Sequence, residues 1–205
     1  MIPYDMSRPQ QKNAPRPLAG GADEHLRVIR TAMERAGSFT AVPGWGGVGM
    51  GCVALLAAGI ARSSRDSGSW LLIWLCAAVA GFAIGASTLA WKAWHSGVPL
   101  RGGVARRFFL TLGAPIAVGA LLTAALAARG QTAILPGVWL LLYGSAVLTA
   151  GAQSIPLIPT LGFSFFALGA IALASPATWG NAYLALGFGL LQIAFGLVIA
   201  RRHGG

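Results

Sequence analysis

Of the 205 residues, 56% are hydrophobic and only 10% are charged, where about a quarter is usual for a soluble domain. The acids are Asp5, Asp23, Glu24, Glu34 and Asp66, so no carboxylate follows Asp66 and most acid–base chemistry is excluded from the rest of the chain. The net charge of +10 falls in short basic groups between long apolar runs. This pattern fits a membrane and excludes the continuous basic surface of a nucleic-acid partner.

Residues 1–21 hold Pro3, Pro9, Pro15 and Pro17 among polar residues and close on two glycines. Such a composition buries too little surface to fold alone, and predicts a disordered arm. No cleavable signal peptide is expected, because residues 1–43 lack an apolar h-region. From Asp23 the character changes. Leu26, Ile29, Met33 and Ala36 recur at helical spacing, Asp23 serves as a cap and Gly37 as a stop, which predicts a short amphipathic helix within a cytoplasmic segment 22–43. Arg27, Arg30, Glu34 and Arg35 lie mainly off its apolar stripe. Lying on anionic lipid, docking on the protein's own cytoplasmic loops and binding another protein all remain open for it.

A helix needs about 20 apolar residues to cross about 30 Å of hydrocarbon. Six segments qualify, over 44–61, 69–91, 108–128, 134–152, 155–175 and 181–200, and none contains Asp, Glu, Lys or Arg. The expectation is an all-α polytopic membrane protein: a six-helix transmembrane bundle over 44–205, built from three helical hairpins. Cys52 and Cys76 fall inside apolar runs without metal-type spacing, and read as buried thiols.

Basic loops are retained on the cytoplasmic side. Arg8, Lys12, Arg16, Arg27, Arg30 and Arg35 precede span one, Lys92, Arg101, Arg106 and Arg107 follow span two, and Arg201 and Arg202 end the chain. The opposite side holds only Arg62, Arg65 and Arg129. The asymmetry predicts a bacterial inner membrane protein with both termini in the cytoplasm. The tryptophans agree as headgroup anchors, with Trp45, Trp91 and Trp94 at the inner face and Trp70, Trp74, Trp139 and Trp179 near the outer one.

Two hairpins resemble each other. Thr111-Leu112-Gly113 and Gly119-Ala120 in span three match Thr160-Leu161-Gly162 and Gly169-Ala170 in span five, while Tyr143-Gly144 and Gly151 in span four match Phe188-Gly189 and Gly196 in span six. Helices gain nothing by leaving lipid for one another, so close backbone packing must hold them. Gly47, Gly51, Gly81, Gly85, Gly144, Gly151, Gly189 and Gly196 are the candidate packing positions. A ligand cavity lined by these glycines is the alternative.

With its glycine placement, Pro176 in the last hairpin turn and the basic end at Arg201-Arg202, the segment from Thr160 to Arg202 resembles the HdeD type of small bacterial inner-membrane protein. The resemblance implies a six-span architecture and a stress-related role. The longer N-terminal arm departs from that pattern.

Cofactor chemistry finds little footing. Gly44-Trp45-Gly46-Gly47-Val48-Gly49 formally fits GxGxxG, but no strand precedes it and an apolar span follows, so it reads as a flexible lead-in to span one. His25, His95 and His203 lie outside the spans, which leaves no haem ligands inside the membrane and no zinc set. Neither cofactor nor metal is expected. Nucleophilic catalysis and proton-coupled transport both lack the buried base or carboxylate they use.

Uncharged polar residues remain: Tyr143, Ser145, Thr149 and Gln153 in and after span four, Thr160 and Ser164 in span five, and Gln192 near the middle of span six. A mid-membrane amide should face the protein, either to bond a neighbouring helix or to contact a solute. Pro115, Pro136, Pro156 and Pro159 read as helix starts. The expected function is therefore non-enzymatic: an accessory, structural or stress-related role through packing with a partner or a second copy. The alternative is a small transporter or channel for a neutral or weakly polar solute.

Overall fold

The computed structural model describes residues 43–64, 66–95, 103–151 and 154–203. The arm over 1–21, the amphipathic helix between Asp23 and Gly37, and Gln153 lie outside the described residues. What is described is all-α, with six helices long and apolar enough to cross a membrane. The chain is a multi-pass membrane protein.

The helices are α1 (Gly44–Ala61), α2 (Ser67–His95), α3 (Gly103–Ala128), α4 (Leu135–Gly151) and α5 (Leu157–Ala174). The sixth span, Ala177–Arg202, is broken into a 3-10 turn (Ala177–Trp179), α6 (Gly180–Leu184), a π-helical segment (Ala185–Leu191) and α7 (Gln192–His203).

Local chemistry explains most boundaries. Pro43, extended at φ −82 and ψ 120, precedes α1. The Asp66 carboxylate accepts the Ser69 N–H at 2.7 Å, an N-cap that starts α2 at Ser67, two residues before the charge-free run. That bond holds the carboxyl of Asp66 below the ordinary carboxylate range. At the end of α3, Gly130 has a φ of 69 while the Gln131 N–H reaches back to the Leu126 carbonyl at 2.9 Å. This closure needs the left-handed conformation that glycine adopts without a Cβ clash.

Three expectations change. The helix α3 starts at Gly103, taking Arg106 and Arg107 into it, so Pro115 lies in its interior and deprives the ladder of a donor instead of marking a start. The glycine-rich segment from Gly44 is no flexible lead-in: it is helical from its first residue and tightly packed. Cys52 and Cys76 are exposed on the protein surface, facing outward and not buried within the bundle.

Pairing within the three hairpins is uneven. The most extensive interface joins α4 to α5, across the second and third hairpins, and the sixth span packs more on α1 than on its own hairpin partner α5. The core therefore lies among α1, α4, α5 and the sixth span, where Leu140, Phe165 and Leu184 are wholly buried. The helix α2 rests on α1, and α3 rests on α4. Both flanking helices show long apolar faces to the surroundings, including Leu72, Val79 and Phe82 on α2 and Leu110 and Leu121 on α3. In a membrane these faces contact lipid.

Candidate functional site

The two central crossings depend on glycine. A Cβ added to Gly51 would lie 2.5 Å from Ile193 Cγ1 and 2.8 Å from the Gly189 carbonyl oxygen, and one on Gly47 would lie 3.2 Å from Gly196 Cα. One on Gly196 would come within 2.8 Å of both the Gly44 carbonyl and the Val48 nitrogen. On the other side, a Cβ on Gly144 would meet the Phe166 nitrogen at 2.5 Å, and one on Gly151 the Pro159 nitrogen at 2.8 Å. Backbone thus meets backbone in both crossings, where dispersion and not water expulsion supplies the attraction. Gly81 and Gly85 differ. They face only the flexible Met50 side chain of α1, at 3.9 Å for Gly81.

The matched residues of the two similar hairpins converge between these crossings. Tyr143 and Phe188, equivalent in the repeat, meet edge to face with ring centroids 5.1 Å apart, and Phe165 closes the triangle at 4.8 Å from Tyr143 and 5.2 Å from Phe188. Joined to this cluster through Tyr143 is Gln192, the first residue after the π-helical segment, with only 7% of its surface exposed. Its Nε2 donates to the Tyr143 hydroxyl at 3.2 Å, while its Oε1 is buried without a hydrogen-bond partner. A buried acceptor left in that condition costs about 1–3 kcal/mol.

The π segment is unusual in itself, since such turns are rare and recur at functional sites. The backbone N–H of Gln192 bonds the carbonyls of Gly187 and Gly189 and passes over that of Phe188 between them. Nothing in the hydropathy of span six distinguishes a π turn from an α turn, so the sequence carries no signal for it.

The other polar residues do not join this pair. The hydroxyl of Ser145 donates to the Leu142 carbonyl at 2.9 Å, that of Thr149 to Ser145 at 2.8 Å, and that of Ser164 to Thr160 at 2.9 Å. Each satisfies itself on its own helix, as a hydroxyl in lipid must when no neighbour reaches it. Tyr143 and Gln192 are brought together, and Ser145, Thr149 and Ser164 are turned away.

A second polar cluster ties the helices at one end of the bundle, and its central residue was not singled out in the sequence. Asn181 accepts the indole N–H of Trp74 at 3.0 Å and donates to the Ala58 carbonyl at 2.9 Å, linking α2 and α1 to α6. Trp139 donates to the Thr123 hydroxyl at 2.8 Å, which itself donates to the Gly119 carbonyl at 2.7 Å. The rings of Trp70 and Trp139 stack 5.8 Å apart within 4° of parallel. Ser175 donates to the Ile171 carbonyl at 2.8 Å, which leaves the Tyr183 hydroxyl to donate to Ser175 at 2.7 Å. Of Trp70, Trp74, Trp139 and Trp179, expected as headgroup anchors, Trp74 is buried and only Trp179 is exposed. These indoles serve mainly as contacts between helices, and the asparagine was the available clue: an amide at a span end needs two partners.

The arrangement can hydrogen-bond a neutral group at Gln192 and Tyr143. Among the described residues, no group of three or more His, Cys, Asp or Glu gathers to hold a metal ion. Comparison of the chain with protein-family models, curated proteins and solved structures finds no match.

Proposed function

We propose that the chain is a non-enzymatic integral membrane protein that works by packing against a partner or a second copy of itself. The role is accessory, structural or stress-related, the last being what the HdeD resemblance implies. Its setting is a bacterial inner membrane with both termini cytoplasmic, as supported by the distribution of arginine and lysine.

The flank of α3 carries this reading. Gly113, Ala117, Ala120 and Ala124 follow one another at helical spacing and are all exposed, and a Cβ on Gly113 would meet nothing within 4 Å. In α5, whose sequence repeats that of α3, Gly162 is instead buried, and its Cβ would come within 2.7 Å of Leu148 Cα and 2.9 Å of the Gly144 carbonyl oxygen. Small residues allow close helix approach in lipid. The α5 face uses that property within the molecule, while the α3 face has it to offer outside.

The test is native mass spectrometry of the full chain extracted gently from its own membrane. Wild type should carry a stoichiometric companion or second copy, which Ala117→Leu and Ala120→Leu lose while retaining their thermal stability. Wild type that emerges alone would overturn the reading.

A second reading, a small transporter or channel for a neutral solute, is favoured by the buried amide of Gln192. Solute flux into liposomes that Gln192→Leu leaves unchanged would count against it.

A further inference from the structure

We infer that Gln192 and Tyr143 together bind one small neutral molecule offering an O–H or N–H, and that in the resting protein this molecule is water. The inference requires occupancy and not passage, so it stands apart from both readings of the protein's role.

The acceptor comes first. Gln192 is 93% buried by its 7% exposure, its nitrogen is engaged by Tyr143 at 3.2 Å, and its Oε1 has no hydrogen-bond partner. Near the middle of the Ala177–Arg202 span, bulk water does not satisfy such a group, and buried polar atoms are paired with protein or an internal water in most folded proteins.

The surroundings then select the ligand. As the structure assigns the amide, the Tyr143 hydroxyl accepts from Gln192 and keeps its own proton to donate. An acceptor and a donor thus stand side by side, the complement of a molecule that both donates and accepts. The neighbouring rings of Phe165 and Phe188 carry no charge, and α4, α5, α6 and the π segment contain no Asp, Glu, Lys or Arg. A charged ligand would lie there without a counter-charge, which the membrane interior penalises heavily. Size is limited by the glycine crossings of α1 with the sixth span and of α4 with α5, which hold the flanking backbones at contact. The π segment, immediately before Gln192, is the one interruption of regular helical spacing in that span's interior.

The experiment is solid-state NMR of the full chain in lipid bilayers with ¹³C,¹⁵N-labelled glutamine and leucine, the side-chain amide of Gln192 being assigned by its loss in Gln192→Met and the methyl groups of Leu140 by their loss in Leu140→Met. Gln192→Asn, which keeps an amide, is a second assigning variant if the methionine variant does not fold. Magnetisation is transferred from the water protons to the amide. The expected transfer to Gln192 is of the same order as that to the exposed Gln131. Transfer no faster than to the methyl groups of the wholly buried Leu140 overturns the inference.

Discussion

Replacing Gly51 by alanine should loosen the bundle at its centre, although alanine is the better helix former by about 0.8–1 kcal/mol. The added methyl would stand 2.5 Å from Ile193 Cγ1, 2.8 Å from the Gly189 carbonyl oxygen and 3.1 Å from the Ile193 nitrogen. A rotamer change can move the first atom but not the other two, which are backbone. To restore ordinary contact, α1 and the sixth span must separate by about 0.5–1 Å, which forfeits a quarter to a half of the dispersion well at each atom pair along the crossing. Overpacking of this kind costs about 1–3 kcal/mol, more than the gain in propensity. Gly81→Ala and Gly113→Ala provide the comparison: the first would place its methyl 3.9 Å from a flexible methionine and the second would meet nothing within 4 Å. Neither should destabilise by more than about 0.5 kcal/mol. Reversible unfolding of the reconstituted protein, by steric trapping or in mixed detergent, measures all three. A Gly51→Ala variant as stable as Gly81→Ala would refute the reasoning, because the two sequence contexts are alike and only the tertiary contact differs.

The second polar cluster makes a similar demand on Asn181. Asn181→Leu leaves the Trp74 indole N–H and the Ala58 carbonyl without their partner, and should cost about 1–2 kcal/mol, at the upper end for hydrogen bonds in membranes. A double-mutant cycle with Trp74→Phe should return a coupling above about 0.5 kcal/mol, and additive losses would remove the bond from the account. The Asp66 cap predicts a dependence on pH. Its carboxyl is held below the ordinary value of 3.8 in the folded protein, chiefly by the Ser69 backbone N–H, so its contribution is complete above that value and is lost as pH falls through the lower, folded one. Unfolding followed between neutral and strongly acidic pH should show this loss in wild type and not in Asp66→Asn, which caps without titrating; equal slopes would refute it.

The depth at which each reading succeeded follows from the range of the forces involved. Six spans were legible because exclusion of charge from hydrocarbon acts residue by residue, and each charge-free run of 44–61, 134–152 or 155–175 corresponds closely to α1, α4 or α5. Boundaries were legible only where the stop or start is local. Asp66, a cap outside the apolar run, extended α2 beyond its hydropathy, and Gly103 set the start of α3 well before Phe108, placing Pro115 inside the helix. Gln192 could be singled out because a mid-span amide is costly anywhere in a membrane, whereas Asn181, at a span end, gave no such alarm until its two partners were known.

By itself the sequence determined which residues enter the membrane, because transfer into hydrocarbon is decided by each side chain and by the length of its run. It also determined that glycine would matter. Only the tertiary structure decided which glycines meet: Gly47 and Gly51 face Gly196 and Gly189, Gly144 faces Gly162, and Gly81 and Gly113 have no close backbone opposite them. Hydropathy cannot rank these pairings, since every span is apolar enough for lipid and only the contacts between helices distinguish one neighbour from another. The same reason hid the π turn before Gln192 and the meeting of Tyr143 with Phe188, because both depend on which helix lies opposite.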